Sequence, residues 1–173
     1  MAFRETDIHT LKFNPFDKIS KQWMLITAGD RTKSNTMTAS WGGVGIMWGK
    51  PVATAYIRPQ RYTKEFVDQN EYFTLSFLAE EYRKALNVCG SVSGRDVEDK
   101  WQEAGLHPCY VAEGTPEETA AVAAAEMIFV CRKLYDQEMY PACFTADECD
   151  AKWYPQQDYH TMYIAEIVKV LVK

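Results

Sequence analysis

An alternating segment, residues 35–41, constrains the fold more than any other part of this chain. Its order is Asn-Thr-Met-Thr-Ala-Ser-Trp. Successive side chains of a β-strand point to opposite faces, so this period of two predicts a strand with one hydroxyl face and one packing face. The hydroxyl face carries Thr36, Thr38 and Ser40, and the packing face carries Met37, Ala39 and Trp41. The residues alone leave the hydroxyl face equally open to solvent and to a ligand.

A second segment, Tyr56–Thr63, joins the end of a strand to the start of a helix. It places a proline between Arg58 and Arg61 and puts Thr63 at the predicted N-cap of the helix. Guanidinium groups, a hydroxyl and the free N–H groups of a helix N-terminus all suit a phosphate. Alone, the arginines are more often surface charges. A phosphate here and a flat polar ring against residues 35–41 would together describe flavin mononucleotide (FMN).

The remaining pattern predicts a mainly β, α+β fold, in which six or seven strands form an antiparallel barrel decorated by helices. The segment 119–139 fits helix or strand, and strand is favoured from about 124 to 135. Four glycines after the first segment (Gly42, Gly43, Gly45, Gly49) predict bulges or a barrel corner. Strands are predicted at 22–28, from 36, and at 51–57, 71–77, 124–135 and 160–172, and helices at 63–69, at 80–89 closed by Gly90, and at 96–104 closed by Gly105.

The 173 residues predict one domain, residues 1–173, with a sizeable core. A net charge of −5 argues against broad binding of nucleic acid or anionic membranes. No apolar run reaches the length that spans a bilayer, and the first residues lack the apolar core of a secretory signal. A cytoplasmic location, with no nucleic-acid or membrane partner, is the default expectation.

The cysteines and histidines do not predict a metal site. The five cysteines include no closely spaced pair of the kind that binds zinc, and the three histidines are far apart. His107 and Cys109 are close in sequence, but no second ligand pair accompanies them. Scattered free thiols are the favoured interpretation.

An ordered set of motifs resembles the flavin reductase-like family, and its flavoredoxin branch most of all. The resemblance covers about residues 18–172. The motifs that carry it are Trp23–Ala28, Asn35–Gly43, Trp48 with Pro51, Arg58–Thr63, Phe73–Phe77, Cys89–Asp96 with Lys100, and His160 with Tyr163 and Glu166.

This resemblance implies an FMN-binding split β-barrel, usually a homodimer with flavin near the subunit interface. Members take a hydride from NADH or NADPH onto flavin, or pass electrons between flavin and a protein partner. By resemblance, Asn35, Thr36, Met37, Thr38, Ala39, Ser40 and Trp41 would line the flavin ring and ribityl chain, Arg58, Arg61, Tyr62 and Thr63 would hold the phosphate, Ser93 and Gly94 would shape a loop beside the pocket, and His160 would be the catalytic candidate facing flavin or nicotinamide.

Simpler interpretations stay open for several of these residues. His160 alone is more often structural than catalytic, and Ser93 with Asp96 fits a helix cap. Trp41 and Trp48 suit a core or an interface better than ring stacking. The glycines from Gly43 to Gly49 miss the dinucleotide fingerprint. Three functions therefore compete: an NAD(P)H-dependent flavin reductase, an electron-transfer protein that holds FMN tightly, and a flavin-binding domain without turnover.

Overall fold

The computed structural model describes residues 2–173, and within that range it contains ten strands and four α-helices. Short 3₁₀ turns lie at Ile8–Thr10, Glu80–Tyr82 and Pro141–Cys143, and a π-helical turn at Phe16–Lys21. The strands are β1 (Arg4–Thr6), β2 (Met24–Gly29), β3 (Ser34–Ala39), β4 (Gly42–Met47), β5 (Lys50–Ile57), β6 (Tyr72–Phe77), β7 (Pro108–Val111), β8 (Thr119–Val122), β9 (Met127–Glu138) and β10 (Thr161–Val172), and the helices are α1 (Tyr62–Gln69), α2 (Arg83–Ser91), α3 (Lys100–Ala104) and α4 (Asp147–Trp153).

One antiparallel sheet dominates the fold. Its strand order is β3-β2-β6-β9-β10-β5-β4, with β1 paired to β10, and β7 and β8 form a separate hairpin. The two edge strands, β3 and β4, follow one another in the chain with only Ser40 and Trp41 between them. A link of this length spans about 11 Å at most, so the opposite edges of the sheet must approach each other there. The sheet is thus a split barrel, and residues 40–41 cross its split.

Both faces of the sheet are packed. The barrel interior is filled by apolar side chains such as Ile26, Met37, Phe73, Phe129 and Tyr163. On β6 the predicted alternation is confirmed: Phe73, Leu75 and Phe77 point inward, while Thr74 and Ser76 point outward. The outer side chains meet β8, since Thr74 Oγ1 donates to Ala120 O at 2.9 Å and Ser76 Oγ accepts from Val122 N at 3.4 Å.

The outer layer rests on one side of the barrel and consists of α2, α3 and the β7–β8 hairpin. Leu25, Ile128 and Val130 on the outer face of the sheet pack in a second apolar cluster with Leu86 of α2 and Val122 of β8. This layer brings α2 against β3, the strand predicted to carry the ligand face. No helix within residues 2–173 has the length and apolar character needed to cross a bilayer.

Several predicted boundaries are wrong. The glycine-rich residues after position 41 form a regular edge strand, β4, because Gly43 and Gly45 pair in register with Thr54 and Val52. The helix predicted at 80–89 is a 3₁₀ turn followed by α2, which continues through Gly90 to Ser91. More strands form than the six or seven predicted, since short β1, β7 and β8 lack a clear periodicity.

The helix predicted at 96–104 is shorter. Its N-cap is Asp99, whose carboxylate accepts hydrogen bonds from Trp101 N and Gln102 N, so α3 begins at Lys100. Its end is as predicted, because Gly105 adopts the left-handed conformation that closes many helices. Residues 92–99 therefore form a loop beside α1.

Candidate functional site

A pocket opens at the split of the barrel, with a volume of about 430 Å³, within the usual range for small-molecule sites. We call it the split pocket. Eight residues predicted from the sequence line it: Met37, Thr38, Ala39, Ser40, Trp41, Arg58, Arg61 and His160. Sequence reasoning missed Tyr56 and Trp153, which complete the lining. Tyr56 lies in the strand directly before the arginine motif, and that position could have indicated that it lines the pocket. Nothing in the sequence connects Trp153 with the motif.

Arg61 occupies the end of the split pocket next to helix α1. Its guanidinium donates to the last carbonyls of α2, from Nη1 to Gly90 O at 2.6 Å and from Nη2 to Cys89 O at 3.2 Å. Buried Lys100 donates to the same Cys89 O at 3.0 Å. Burial lowers the pKa of Arg61, and burial lowers the pKa of Lys100 to about 8.

These two side chains concentrate positive charge beside the pocket. Within the described range, no carboxylate forms an ion pair with Arg61 or Lys100. Arg61 is also the N-cap residue of α1, so the first turn of that helix, whose free N–H groups favour an anion, begins directly after it. This end of the split pocket is therefore electropositive and suited to a phosphate.

Arg58 lines the same pocket but is engaged by the segment between α4 and β10. Its guanidinium pairs with Asp158, donates to Trp153 O at 2.8 Å, and lies 5.1 Å from the centroid of the Tyr154 ring. Gln60 also donates to Asp158, at 2.8 Å. Arg58 thus holds this segment against the barrel. Of the two predicted arginines, Arg58 forms an ion pair with a carboxylate and Arg61 forms none within the described range.

A second group of predicted residues lies at the edge of the split pocket. Asn35 Nδ2 donates to Thr63 Oγ1 at 2.8 Å. Gly94 packs so closely that a Cβ built on it would lie 2.4 Å from Asn35 Oδ1 and 3.1 Å from the Tyr62 ring. The structure therefore brings Asn35, Tyr62, Thr63 and Gly94 together, although none of them lines the pocket directly.

The predicted helix cap at Thr63 is wrong. Arg61 holds the N-cap position of α1 without a side-chain cap, and α1 begins at Tyr62. The Thr63 hydroxyl instead accepts the hydrogen bond from Asn35, a contact between residues far apart in the chain. A local sequence pattern cannot show that the Thr63 hydroxyl bonds to Asn35 and does not cap the helix.

Ser93 belongs to the loop that covers this second group. Its Oγ accepts a hydrogen bond from Arg95 N at 3.2 Å, which shapes a turn and does not cap α3. Arg95, which sequence reasoning missed, lies 4.7 Å from the Tyr62 ring centroid, pairs with Glu65, and donates to Gln60 O at 3.1 Å. The loop is thereby tied to α1.

The hydroxyl face predicted on β3 is covered by protein. Thr36 Oγ1 lies 2.9 Å from Thr27 Oγ1, both residues being buried, and Thr38 Oγ1 donates to Leu86 O of α2. The predicted alternation is confirmed for β3, since Met37 and Ala39 pack in the core and Thr36 and Thr38 lie on the opposite face, but α2 covers that hydroxyl face. Thr38 and Ala39 still line the split pocket, so their backbone groups remain available to a ligand.

His160 also lines the split pocket. Its ring lies 5.1 Å from the Trp41 ring, and its Nδ1 lies 2.7 Å from the Tyr154 hydroxyl. Burial, and then the Arg58 charge, lowers the pKa of His160 to about 4, while Asp158 opposes the shift. The imidazole is therefore neutral at neutral pH.

A larger cavity of about 780 Å³ adjoins the split pocket. We call it the aromatic cavity, because Phe16, Trp41, Phe144, Trp153 and Tyr154 line it. Trp41 and Trp153 meet edge to face, with centroids 5.1 Å apart, and both line the two cavities. Trp41 therefore lies between them, and Trp48 lies exposed at the β4–β5 turn, so neither tryptophan is a core residue.

Comparisons with known proteins agree with this fold. Residues 16–173 match the model of the flavin reductase like domain. No curated protein matches the chain. A solved FMN-binding domain of a flavin reductase-like enzyme from Shewanella baltica has a TM-score of 0.70 at 16% identity, over 99% of this chain and 77% of that one.

Two further solved structures come from proteins with different roles. Flavoredoxin of Desulfovibrio vulgaris (Miyazaki F) has a TM-score of 0.65 at 23% identity, over 87% of this chain and 69% of that one. An NADH:FAD oxidoreductase of Streptomyces globisporus has a TM-score of 0.63 at 12% identity, over 88% and 76% respectively. At these identities the structures establish the shared split-barrel fold, and the family model covers nearly the whole chain. This chain therefore belongs to the flavin reductase-like domain family.

Proposed function

We propose that this protein is an oxidoreductase that binds FMN in the split pocket and transfers a hydride from NADH or NADPH to the flavin. The observation that carries the proposal is the arrangement of that pocket. Arg61, without an acidic partner in the described range, lines the pocket beside α1, and residues 38–41 and neutral His160 line it as well. The pocket thus offers a phosphate-binding group at Arg61 and an apolar surface at Trp41.

The residues at the arginine end fit the phosphate of FMN. The first turn of an α-helix leaves backbone N–H groups without helical partners, and Arg61 stands at that turn of α1. The Arg61 guanidinium donates two of its five N–H groups to carbonyls of α2, and the other three suit phosphate oxygens. Lys100 adds a second buried cation beside it. The close contact of Gly94 with Asn35 and Tyr62 keeps the covering loop near this seat.

The remaining residues of the pocket fit the ring. FMN, when bound, supplies the hydride acceptor, so the protein needs only to bind, orient and tune it. The backbone of Thr38–Trp41 provides hydrogen-bonding groups along an edge, and Trp41 provides an apolar surface. Neutral His160 provides a fixed dipole where negative charge would develop. Hydride transfer to flavin needs no strong acid or base, so we assign no nucleophile.

The aromatic cavity could hold the nicotinamide ring, which is the second reacting ring. It shares Ser40, Trp41, Tyr56 and Trp153 with the split pocket, so a ligand there would lie next to the ring end of the flavin site. Its lining is mainly apolar and aromatic, which suits a planar ring such as nicotinamide.

An electron-transfer protein of the flavoredoxin type is the second candidate. The shared fold with the Desulfovibrio vulgaris flavoredoxin supports it. The two functions differ in what happens to FMN and to NAD(P)H. An NAD(P)H-dependent flavin reductase oxidises NAD(P)H in steady state, whereas an electron-transfer protein keeps its FMN and requires a protein acceptor. Anaerobic mixing of the FMN-loaded protein with NADH or NADPH, followed by flavin absorbance, separates them.

We also propose a homodimer. The β4–β5 hairpin is an edge of the sheet, and its tip exposes Ile46, Met47 and Trp48. Phe16, Trp41 and Trp153 are further exposed apolar side chains near the aromatic cavity. Exposed large apolar side chains grouped in this way are typical of protein interfaces.

A pair of titrations tests the phosphate assignment. We expect Arg61→Ala to weaken FMN affinity roughly 10- to 100-fold, the range of hydrogen bonds to charged groups, and to leave riboflavin affinity unchanged because riboflavin has no phosphate. Arg132→Ala is the matched control, since Arg132 of β9 forms an exposed ion pair with Glu71, the residue before β6. Equal FMN affinity in the Arg61→Ala variant and the native protein would contradict the assignment.

A further inference from the structure

Tyr154 is fixed by packing on several sides. Its ring stacks on that of Tyr159 with centroids 4.8 Å apart, lies 5.7 Å from that of Phe144, and faces the Arg58 guanidinium at 5.1 Å. The residue is 6% exposed. It also ends helix α4, where its N–H donates to Asp150 O at 2.9 Å. These contacts determine the direction of its hydroxyl.

Two side-chain atoms lie beside the hydroxyl of Tyr154. His160 Nδ1 lies at 2.7 Å and Met139 Sδ at 3.5 Å. Burial raises the pKa of Tyr154, so the phenol keeps its single proton. An imidazole nitrogen accepts a hydrogen bond better than a thioether sulfur. The favourable arrangement donates the phenol proton to Nδ1, and the ring proton of neutral His160 then resides on Nε2.

Nε2 of His160 is open to the split pocket. Over residues 2–173, Nε2 of His160 has no hydrogen-bond partner. In that range the one side-chain nitrogen or oxygen that is both fully buried and without a partner is Nη1 of Arg83. Nε2 of His160 is therefore not fully buried. His160 is nevertheless only 8% exposed, and it lines the split pocket but not the aromatic cavity. Its Nε2 therefore contacts the space of the split pocket.

We propose that Tyr154 is a positioning residue that holds His160 as its Nε2–H tautomer, so that the split pocket presents a hydrogen-bond donor at this point. The inference rests on the proposed function, because the acceptor for this donor is the flavin ring or a substrate beside it. A donor already in place stabilises negative charge that develops during hydride transfer. Tyr154 itself acts only through His160.

Tyr159 offers a matched control. Its ring is stacked on Tyr154, and its hydroxyl donates to Asp150 Oδ1 at 2.9 Å and not to His160. Tyr154→Phe and Tyr159→Phe each remove one hydroxyl from the same aromatic stack. The two variants therefore separate the hydrogen bond to His160 from general packing.

Long-range ¹H–¹⁵N NMR of the purified protein reads the tautomer directly. We expect Nδ1 of His160 to be unprotonated and Nε2 to be protonated in the native protein and in Tyr159→Phe. In Tyr154→Phe the population should shift roughly three- to tenfold towards Nδ1–H, the range that one neutral hydrogen bond spans. Nδ1–H in the native protein, or an unchanged tautomer in Tyr154→Phe, overturns the inference.

Flavin reduction in the FMN-loaded protein gives the second readout. We expect Tyr154→Phe to slow single-turnover reduction by NADH or NADPH roughly threefold to tenfold, and Tyr159→Phe to leave it unchanged. In a His160→Gln background, Tyr154→Phe should have no further effect, because the two residues act as one unit. An equal slowing in both backgrounds overturns the positioning role.

The two readouts distinguish this inference from the proposed function. A protein that takes up no FMN contradicts the proposed function, while the tautomer of His160 is still measured. A protein that binds and reduces FMN but carries Nδ1–H contradicts the positioning role of Tyr154 alone.

Discussion

His160 is the residue whose environment departs most clearly from its usual one within the split pocket. Its pKa falls to about 4 in the folded protein, against 6.5 for the free side chain. Between these two values the unfolded chain binds more protons than the folded protein, so acidification favours unfolding. The stability contribution of neutral His160 is complete above pH 6.5 and is lost progressively as the pH falls towards 4.

This residue therefore gives a pH prediction. We expect the native protein to lose about 1–2 kcal/mol of unfolding free energy between pH 7 and pH 5 through His160 alone. His160→Gln should lose that much less over the same range, because glutamine does not titrate. Urea denaturation of both proteins at the two pH values measures the difference. Equal losses would show that His160 titrates normally in the folded protein.

Single residues also show where sequence reasoning was reliable. The arginine motif predicted the position of Arg61 beside a helix start, because the proline and the strand end are local features. The roles of Arg58 and Thr63 depended on Asp158 and Asn35, which lie far away in sequence. Tyr154 and Trp153 could not be assigned from the sequence, since only the folded chain places them beside His160 and Trp41.

At the scale of elements, strands were easier to predict than helix ends. The alternation in β6 and the apolar run of β10 marked those strands clearly, because one face of each is buried. Helices α2 and α3 were misplaced by several residues, since a 3₁₀ turn precedes α2 and the cap at Asp99 begins α3. The loop at 92–99 arises from that later start.

This loop carries a prediction at Gly94. A methyl group there would lie 2.4 Å from Asn35 Oδ1, a distance that neighbouring atoms must relieve by moving. We expect Gly94→Ala to destabilise the fold by about 1–3 kcal/mol and to weaken FMN binding through displacement of the loop. Thermal unfolding and FMN titration measure the two effects.

Gly90 in α2 provides the control for that substitution. A Cβ at Gly90 would lie 3.5 Å from Thr38 Cβ, which is an ordinary contact, and the residue is helical. Gly90→Ala should therefore be neutral or stabilising by up to about 1 kcal/mol. Equal destabilisation by the two variants would argue against a specific contact between Gly94 and Asn35.

At the scale of the whole molecule, the split of the barrel determines where the site lies. Edge strands β3 and β4 are consecutive in the chain, so residues 40–41 must cross from one edge to the other. The antiparallel barrel decorated by helices was predictable from strand periodicity and from the family resemblance. The aromatic cavity was not, because one of its walls comes from residues 143–154, a segment without regular periodicity.

The exposed β4–β5 hairpin leads to a prediction about the homodimer. Trp48 is 56% exposed and adopts a positive φ of 51°, a conformation that costs a residue other than glycine about 1–2 kcal/mol. We expect the native protein to sediment as a dimer and the double variant Ile46→Asp, Trp48→Asn to sediment as a monomer. Tyr135→Asp, at an exposed aromatic residue of β9, is the control and should remain dimeric. A monomeric native protein would rule out the dimer.

The visible absorption spectrum of the freshly purified protein, followed by FMN titration if the protein is colourless, tests the central claim most directly. The account predicts either a flavin spectrum or tight, saturable uptake of one FMN per chain, with Arg61→Ala binding more weakly than the native protein. A protein that carries no flavin and takes up none would contradict the account, and the split pocket would then have no assigned cofactor.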